Sequence, residues 1–241
     1  MTEKNTKKAS IRGRVRDLLQ KLTAIDEASL NIFKVKTDGT VIRANSIPGV
    51  VIVDSDKARG AVIIYYEGTL FVNCKFKLLK NCCLIVEKTR YRINNLAIMC
   101  HNGWGNFCYI GEDFSCNGAE FRLWEYRDIY IGQDVMFSWQ IMLFTGDGHS
   151  ITDFDGNLIN PADDIVISDH VWIGQGVKVL KGSFVNKNCI VAMNTLINKK
   201  INESGVLIAG CPGRIVRKNI QWSRKNMSRP ESDHPVWMNL L

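Results

Sequence analysis

Residues 165–201 read IVISDHVWIGQGVKVLKGSFVNKNCIVAMNTLINKKI, and an apolar side chain returns at every sixth position: Ile167, Ile173, Val179, Val185, Val191 and Ile197. Four residues after each stands a second, smaller or β-branched residue: Val171, Val177, Ser183, Cys189, Thr195 and Ile201. An α-helix, with its period of 3.6, cannot carry i, i+6 and i+12 on one face. A flat sheet would show plain alternation over longer runs. A six-residue period with two inward positions describes a short strand followed by a bend. Three such sides close a triangular coil of 18 residues. Coils stacked at the ~4.8 Å strand spacing then put Ile173 over Val191, Val179 over Ile197 and Ile167 over Val185. Each coil buries its apolar ladder only against its neighbours, so the pattern demands several copies.

The same phase runs upstream through Ile131, Phe137 and Leu143, with Val135 and Ile141 as second positions, and only Asp147 breaks that second set. Ile110 and Ile131 lie 21 residues apart, which reads as one coil plus a three-residue bulge in RLWEYRD (122–128). Ile93 and Ile110 lie 17 apart, one short of a coil. Val50–Tyr66 and Leu70–Val86 are rich in strand formers and extend the solenoid back to about residue 48. Ile11, Val15, Leu18, Leu19, Leu22 and Ile25 share one helical face and predict a helix over 10–32. The expected organisation is a helical or extended segment over 1–47, a β-helix over 48–218 with a loop at 145–166, and a tail over 219–241 that packs on, or hangs from, the end of the solenoid.

Composition narrows the class. The 241 residues carry 31 Lys plus Arg against 24 Asp plus Glu, with 46% hydrophobic and 23% charged residues, which excludes a disordered chain and a collagen-like fibre. The longest clean apolar run, Ala61–Tyr66, is far short of the roughly 20 residues of a membrane-spanning helix. The N-terminus, MTEKNTKKASIRGRVR, has six basic residues and no apolar core, unlike a secretory signal, so a cytoplasmic protein is expected. Eight cysteines without a C-x-x-C pair read as free thiols filling a core, and no metal site is expected.

The repeat stops between Leu143 and Ile167, in TGDGHSITDFDGNLINPADD, although the six-residue phase is preserved. A long loop leaving a regular solenoid is a candidate functional element. It opens on Gly146-Asp147-Gly148-His149, and imidazole is the side chain best suited to accept a proton near neutral pH. Asp147 is placed to orient that ring, and Trp172, about one coil further on, to reach the same groove. His170 reads as a surface turn residue, His101 is ambiguous, and His234 precedes a proline in the tail. Between Lys178 and Arg229 stand eleven basic residues and one acidic residue, Glu203. Few aromatics are interleaved there and no recognition helix follows, which speaks against nucleic acid. A compact anion with several phosphates, met by Lys199, Arg214 and Arg217, fits better.

The hexads, the turn GDGHSI (146–151), the coil DHVWIGQGVKVLKG (169–182) and the closing VLIAGCPGRIVRK (206–218) resemble the hexapeptide-repeat acyltransferases, above all the branch of galactoside and maltose acetyltransferases and bacterial polysaccharide O-acetyltransferases. The resemblance spans about residues 70–220. It implies a left-handed parallel β-helix, a homotrimer, and active sites between subunits with acetyl-CoA along the groove. It also implies that His149 is the catalytic base, that Asn117 holds the acceptor sugar, and that Trp172 lies beside the acetyl group and acceptor. Gln175, Ala192 and Met193 would line the pantetheine arm, and Lys199, Arg214 and Arg217 would bind the cofactor phosphates. Gln175 stands where the family commonly has serine, and Met193 where it commonly has alanine.

The function expected from these residues is acetyl transfer from acetyl-CoA to a hydroxyl of a capsule or lipopolysaccharide sugar, sialic-acid-containing polysaccharides among them, in the cytoplasm or at the inner membrane where polysaccharide is made. Transfer of the acetyl group to the amine of an amino sugar or nucleotide sugar would use the same base and groove. A non-catalytic β-helix scaffold would need neither the loop histidine nor the basic stretch.

Overall fold

The computed structural model describes residues 2–22, 25–103 and 105–225. Among them, the strands form three sheets of nine, eight and seven strands, almost all paired in parallel. The chain passes from the first face to the second to the third and back, once per coil. One coil runs through Ile129–Ile131, Met136–Phe137 and Ile141–Phe144, and the next through Ile165–Ile167, Trp172–Ile173 and Lys178–Leu180. The stacking expected from the period is present: Ile167 pairs with Val185, Ile173 with Val191 and Val179 with Ile197. Each face carries one inward ladder, such as Ile110, Ile131, Ile167, Val185 and Ile201 on the first, and every member is buried. All eight cysteines are free, and six are buried, Cys116 within the second-face ladder between Ile93 and Phe137.

The bends impose their own chemistry. Asn73, Asn95, Asp113, Asp134, Gln140, His170, Asn188 and Asn194 all sit at corners with φ between 50° and 59°. Asn and Asp tolerate this left-handed region better than other residues with a Cβ, which is why the corners draw on them.

Upstream, the coils are larger than the period of the C-terminal half suggests. Val86 pairs with Ile110, and Ile93 with Cys116, so Ile93 and Ile110 lie on different faces and are not successive rungs. The surplus is taken up partly by longer strands, such as Leu96–His101 and Ala119–Trp124 of six residues against three in Lys178–Leu180, and partly at corners, and the register is kept. Ile110 does pair with Ile131, and the surplus residues turn outward at Glu125 and Tyr126, both with positive φ.

The N-terminal segment departs from expectation in two ways. The helix, α1, spans Glu3–Leu19 and not 10–32 (residues 23 and 24 lie outside the described residues). Asn31–Val35 is a strand, paired in parallel with Val62–Tyr66, so the solenoid starts at residue 31 and not 48. The reason is that α1 lies on the outer side of the first face. Ile11 and Val15 pack there with Phe33, Val35, Val62, Ile64, Ile85, Tyr109, Tyr130, Val166 and Phe184. First-face strands are thus buried on both sides and read as continuous apolar runs without alternation. A 17-residue helix spans about 25 Å, about five interstrand spacings, and so runs along most of this face.

The basic residues of α1 face inward to a row of aspartates. Lys4 donates to Asp163 at 3.3 Å and to the Asp164 carbonyl at 2.7 Å, Lys7 meets Asp169 at 2.6 Å, and Lys8 pairs with Asp164. Arg12 donates to Tyr130 Oη at 2.9 Å and to Asp128 at 3.1 Å. Burial pushes the Asp128 carboxyl up and the Lys4 ammonium down, against their ion-pair partners. No helix of the described residues is long and apolar enough to cross a membrane.

At the other end, the chain turns back after Val206–Ala209. The antiparallel strand Arg214–Lys218 follows, and the tail then runs down the corner between the first and second faces. Trp222 stacks on His170 at 4.2 Å and donates Nε1–H to its carbonyl at 2.9 Å. Arg224 reaches Asp134 at 2.7 Å, Ser115 Oγ at 2.8 Å and the Asp113 carbonyl at 3.1 Å, and lies over the Tyr91 ring. The tail is a strap along a corner, while residues 226–241 lie outside the described part. Arg224→Ala should therefore lower the unfolding free energy by about 2 kcal/mol in urea titrations at matched protein concentration, the usual worth of hydrogen bonds to a charged group. An unchanged midpoint would mean that the strap only rests on the surface.

Candidate active site

The strand Ile141–Phe144 closes the third face, and the loop leaves the solenoid at the corner between the third and first faces. Pairing resumes at Ile165, opposite Ile129, so the loop ends at Asp164 and not at 166. Its first turn lies against Trp124, the last residue of the third-face strand one coil below. The Trp124 backbone N–H donates to Thr145 Oγ1 at 2.7 Å, and that hydroxyl donates back to the Trp124 carbonyl at 3.3 Å. A Cβ added at Gly146 would stand 2.8 Å from Trp124 Cβ, and one at Gly148 3.0 Å from ring atom Cη2. Gly148 also holds φ +80°, a second reason for glycine there.

His149 follows that turn and is exposed. Its carbonyl accepts from Asn160 Nδ2 at 2.9 Å, and the same amide donates to Asp147 Oδ2 at 2.8 Å. Lys181, one coil above, pairs with Asp147 and donates to the Asn160 carbonyl at 2.8 Å. These three side chains tie the two limbs of the loop together. The Lys181 hydrogen bond holds the Asp147 carboxyl below the ordinary carboxylate range. Asp147 was expected to orient the His149 ring. Instead its carboxylate is taken by an ammonium and an amide, and the ring makes no hydrogen bond among the described residues. The ammonium of Lys181, a full positive charge, makes the stronger hydrogen bond to the carboxylate.

Beyond His149 the loop forms a small hairpin, bridged between Thr152 and Leu158. Ile151, Phe154, Leu158 and Ile159 are all more than half exposed, Phe154 completely. The limb returns at Asp163 and Asp164, held by Lys4 and Lys8 of α1.

The other expected residues gather on the second face and at its corner with the third. Trp172 pairs with Met136 and Ile190, and its half-exposed indole N–H lies 3.5 Å from Ser138 Oγ, the outer limit of a hydrogen bond. Trp222 of the strap touches its other side, with ring centres 6.3 Å apart. Asn117 stands one coil below Ser138, its side-chain oxygen 3.4 Å from Asn94 Nδ2. Gln175 donates to Gln140 at 3.2 Å. Ala192 and the exposed Met193 lie one coil above, and a Cβ at Gly174 would stand 2.8 Å from the Met193 nitrogen, so the two coils approach closely here.

The cations are divided. Lys199 projects at the third-to-first corner, one coil above Lys181, whereas Arg214 and Arg217 lie on the strand that pairs with Val206–Ala209 of the second face. All three are exposed. Within one chain, then, His149 and Lys199 occupy one corner, while Asn117, Trp172, Gln175, Ala192, Met193, Arg214 and Arg217 belong to the second face and its far edge. The first face, covered by α1, separates His149 from Trp172, so the expectation that both reach one groove does not hold within a single chain.

The remaining histidines are committed elsewhere. His170 lies 2.6 Å from Asp134 and under Trp222. His101 stacks on Trp124 with ring centres 4.6 Å apart, and burial lowers its pKa. His234 lies outside the described residues. No group of three or more His, Cys, Asp or Glu side chains that could hold a metal occurs among the described residues. Lys181, Asn160 and Trp124 are the residues sequence reasoning missed. Lys181 was detectable as the lysine at the turn position one coil above the loop.

No known family model matches the chain. It is 30% identical over 168 residues to a polysialic acid O-acetyltransferase of Neisseria meningitidis, covering 65% of this chain and 78% of that protein. The chain belongs to the hexapeptide-repeat acetyltransferase family. A polysialic acid O-acetyltransferase of Escherichia coli O1:K1 is 34% identical over 107 residues, 44% of this chain, and the matched stretch is about a third of that relative's length (34%). The crystal structure of the polysialic acid O-acetyltransferase OatWY superposes with a TM-score of 0.58 at 23% identity, over 80% of this chain and 96% of that one. The coils thus wind left-handed, as in the other acetyltransferases of this fold.

The commitment of Asp147 to Lys181 sets an expectation for this family member. Asp147→Asn keeps the hydrogen bond to Lys181, because its side-chain oxygen still accepts. The variant should lose less than about tenfold in kcat, against the roughly 10⁴-fold loss when a carboxylate that orients a catalytic histidine is replaced. A loss of that larger size would return Asp147 to the role of ring partner.

Proposed function

We propose that this chain transfers the acetyl group of acetyl-CoA to a hydroxyl of a bacterial surface polysaccharide, with His149 as general base. The family carries the reaction type. The specific observation behind the residue roles is the separation of His149 from Trp172 within a chain whose loop exposes four apolar side chains. Such a loop needs a partner surface, and a second copy supplies one: Trp139, Trp172 and Met193 are exposed large side chains of the second face and its corner with the third. Closing that head-to-tail contact around a threefold axis makes a homotrimer with three sites between subunits. One subunit then supplies His149 and Lys199, and its neighbour Trp172, Asn117, Arg214 and Arg217.

In that site, His149 removes the acceptor hydroxyl proton while the oxygen attacks the thioester carbonyl. The tetrahedral oxyanion requires a donor, and the Trp172 indole N–H, weakly engaged by Ser138, is available. The C–S bond breaks, and the departing CoA thiolate recovers the proton from the imidazolium. No acetyl-enzyme is required. Gln175, Ala192 and Met193 border the pantetheine arm, and the three cations meet the cofactor phosphates. The acceptors named for the two relatives, sialic acid polymers, are the first to test, as cytoplasmic substrates at the point of polysaccharide synthesis.

Thiol release from acetyl-CoA should appear with sialic acid polymers or another surface polysaccharide and be absent with nucleotide sugars alone. His149→Ala should lower kcat by about 10²–10⁴ with every active acceptor, because proton removal is common to them all. A variant that keeps more than a tenth of wild-type kcat would remove His149 as base. Arg214→Ala should raise the KM for acetyl-CoA more than it lowers kcat. Sedimentation should give three copies per particle, and a monomer at all concentrations would dismantle the shared site.

A further inference from the structure

We infer that Trp124 is a positioning residue for His149, a platform that fixes the height of the loop turn from which the base projects. The inference rests on the reading of His149 as base. Trp124 ends the strand Ala119–Trp124, on the coil directly below the point where the loop leaves. One side of its indole is stacked on His101, its register partner in the coil beneath, at 4.6 Å and an interplanar angle of 15°. The other contacts are made by the loop. Thr145 is locked to the Trp124 backbone in both directions, and Gly146 and Gly148 press their main chain onto the side chain so closely that neither tolerates a Cβ without displacement. His149 is joined to Gly148 by one peptide bond. Any shift of the indole is therefore passed to the base through atoms already in contact.

Two further observations support a purpose beyond filling space. Among the described residues His101 Nε2 is buried and has no hydrogen-bond partner, so a polar ring is kept flat beneath the indole against its own preference for water. Among the described residues the His149 ring has no side-chain partner that could orient it, since Asp147 belongs to Lys181. The direction of the imidazole is left to the backbone, and the backbone rests on Trp124. Displacement of a reacting group by about 1 Å can cost on the order of 10²-fold in rate, so a platform of this kind matters to chemistry more than to binding.

The test compares kcat and KM in full-length enzyme, with thiol release from acetyl-CoA as the assay and sedimentation as a check of assembly. Trp124→Ala should lower kcat by roughly ten- to a hundredfold. The KM values for acetyl-CoA and acceptor should stay within about twofold, because the cofactor cations lie elsewhere. Trp124→Phe, which keeps a ring under Gly148, should recover most of the loss. In a His149→Ala background, Trp124→Ala should cause no further fall, since a residue that acts through the base has nothing left to position. A further multiplicative loss in the double variant, or a rise in KM in place of the fall in kcat, would assign Trp124 to the fold alone. If Trp124→Ala does not assemble, Trp124→Leu serves the same comparisons. If His149→Ala is inactive while the assembled Trp124 variant matches wild type, the platform falls and the base stands. If His149→Ala keeps its kcat, both fall together.

Discussion

Each coil can bury its inward side chains only against the coils above and below it. That constraint governs everything else in the molecule. Rungs such as Ile110, Ile131, Ile167, Val185 and Ile201 must stay in register along the whole solenoid, while surplus chain either lengthens paired strands or is expelled at corners. The six-residue strands Leu96–His101 and Ala119–Trp124 and the bulge at Glu125 and Tyr126 are tolerated because they leave the ladder undisturbed. The loop bearing His149 is the largest such expulsion. It leaves and rejoins the ladder without shifting the pairing of Ile129–Ile131 with Ile165–Ile167. A rigid scaffold thus presents a long loop with both ends fixed.

Electrostatics fixes those ends. The basic N-terminus, which on composition alone resembles a patch for an anionic partner, is consumed within the chain: Lys4, Lys7, Lys8 and Arg12 each meet an aspartate on or beside the first face. Two of those aspartates, Asp163 and Asp164, terminate the loop. At its start, Lys181 and Asn160 hold Asp147, and Trp124 carries the glycines. Helix α1 therefore has two roles, covering the outer side of the first face and anchoring the return limb of the loop. The cations proposed to meet the cofactor phosphates, Lys199, Arg214 and Arg217, are exposed and lie toward the other end of the sequence.

The same architecture divides the candidate chemistry. A β-helix presents its corners in different directions, so residues on different corners cannot converge without a second chain. Read with the proposed trimer, the exposed apolar side chains of the loop and the scattered cations have one explanation, namely that half of each site sits on each neighbour.

The repeat in residues 131–201 determined the stacked coil and even the identity of its rungs, because a period of six with two inward positions admits few other folds. The exposed loop, its histidine and the basic stretch were equally legible, since they interrupt or decorate that period. Other features had no local signature. The helix expected over 10–32 overran the start of the strand Asn31–Val35, and that strand was not recognised, because covering by α1 buries it on both sides and erases the alternation that marks a strand. The partner of Asp147 could not be read either: the nearest residue in sequence, His149, lost to Lys181, 34 positions away and one coil above. Sequence distance orders residues along the chain, whereas an 18-residue coil makes neighbours of residues that the chain separates. Only the tertiary structure decides which of them share a corner.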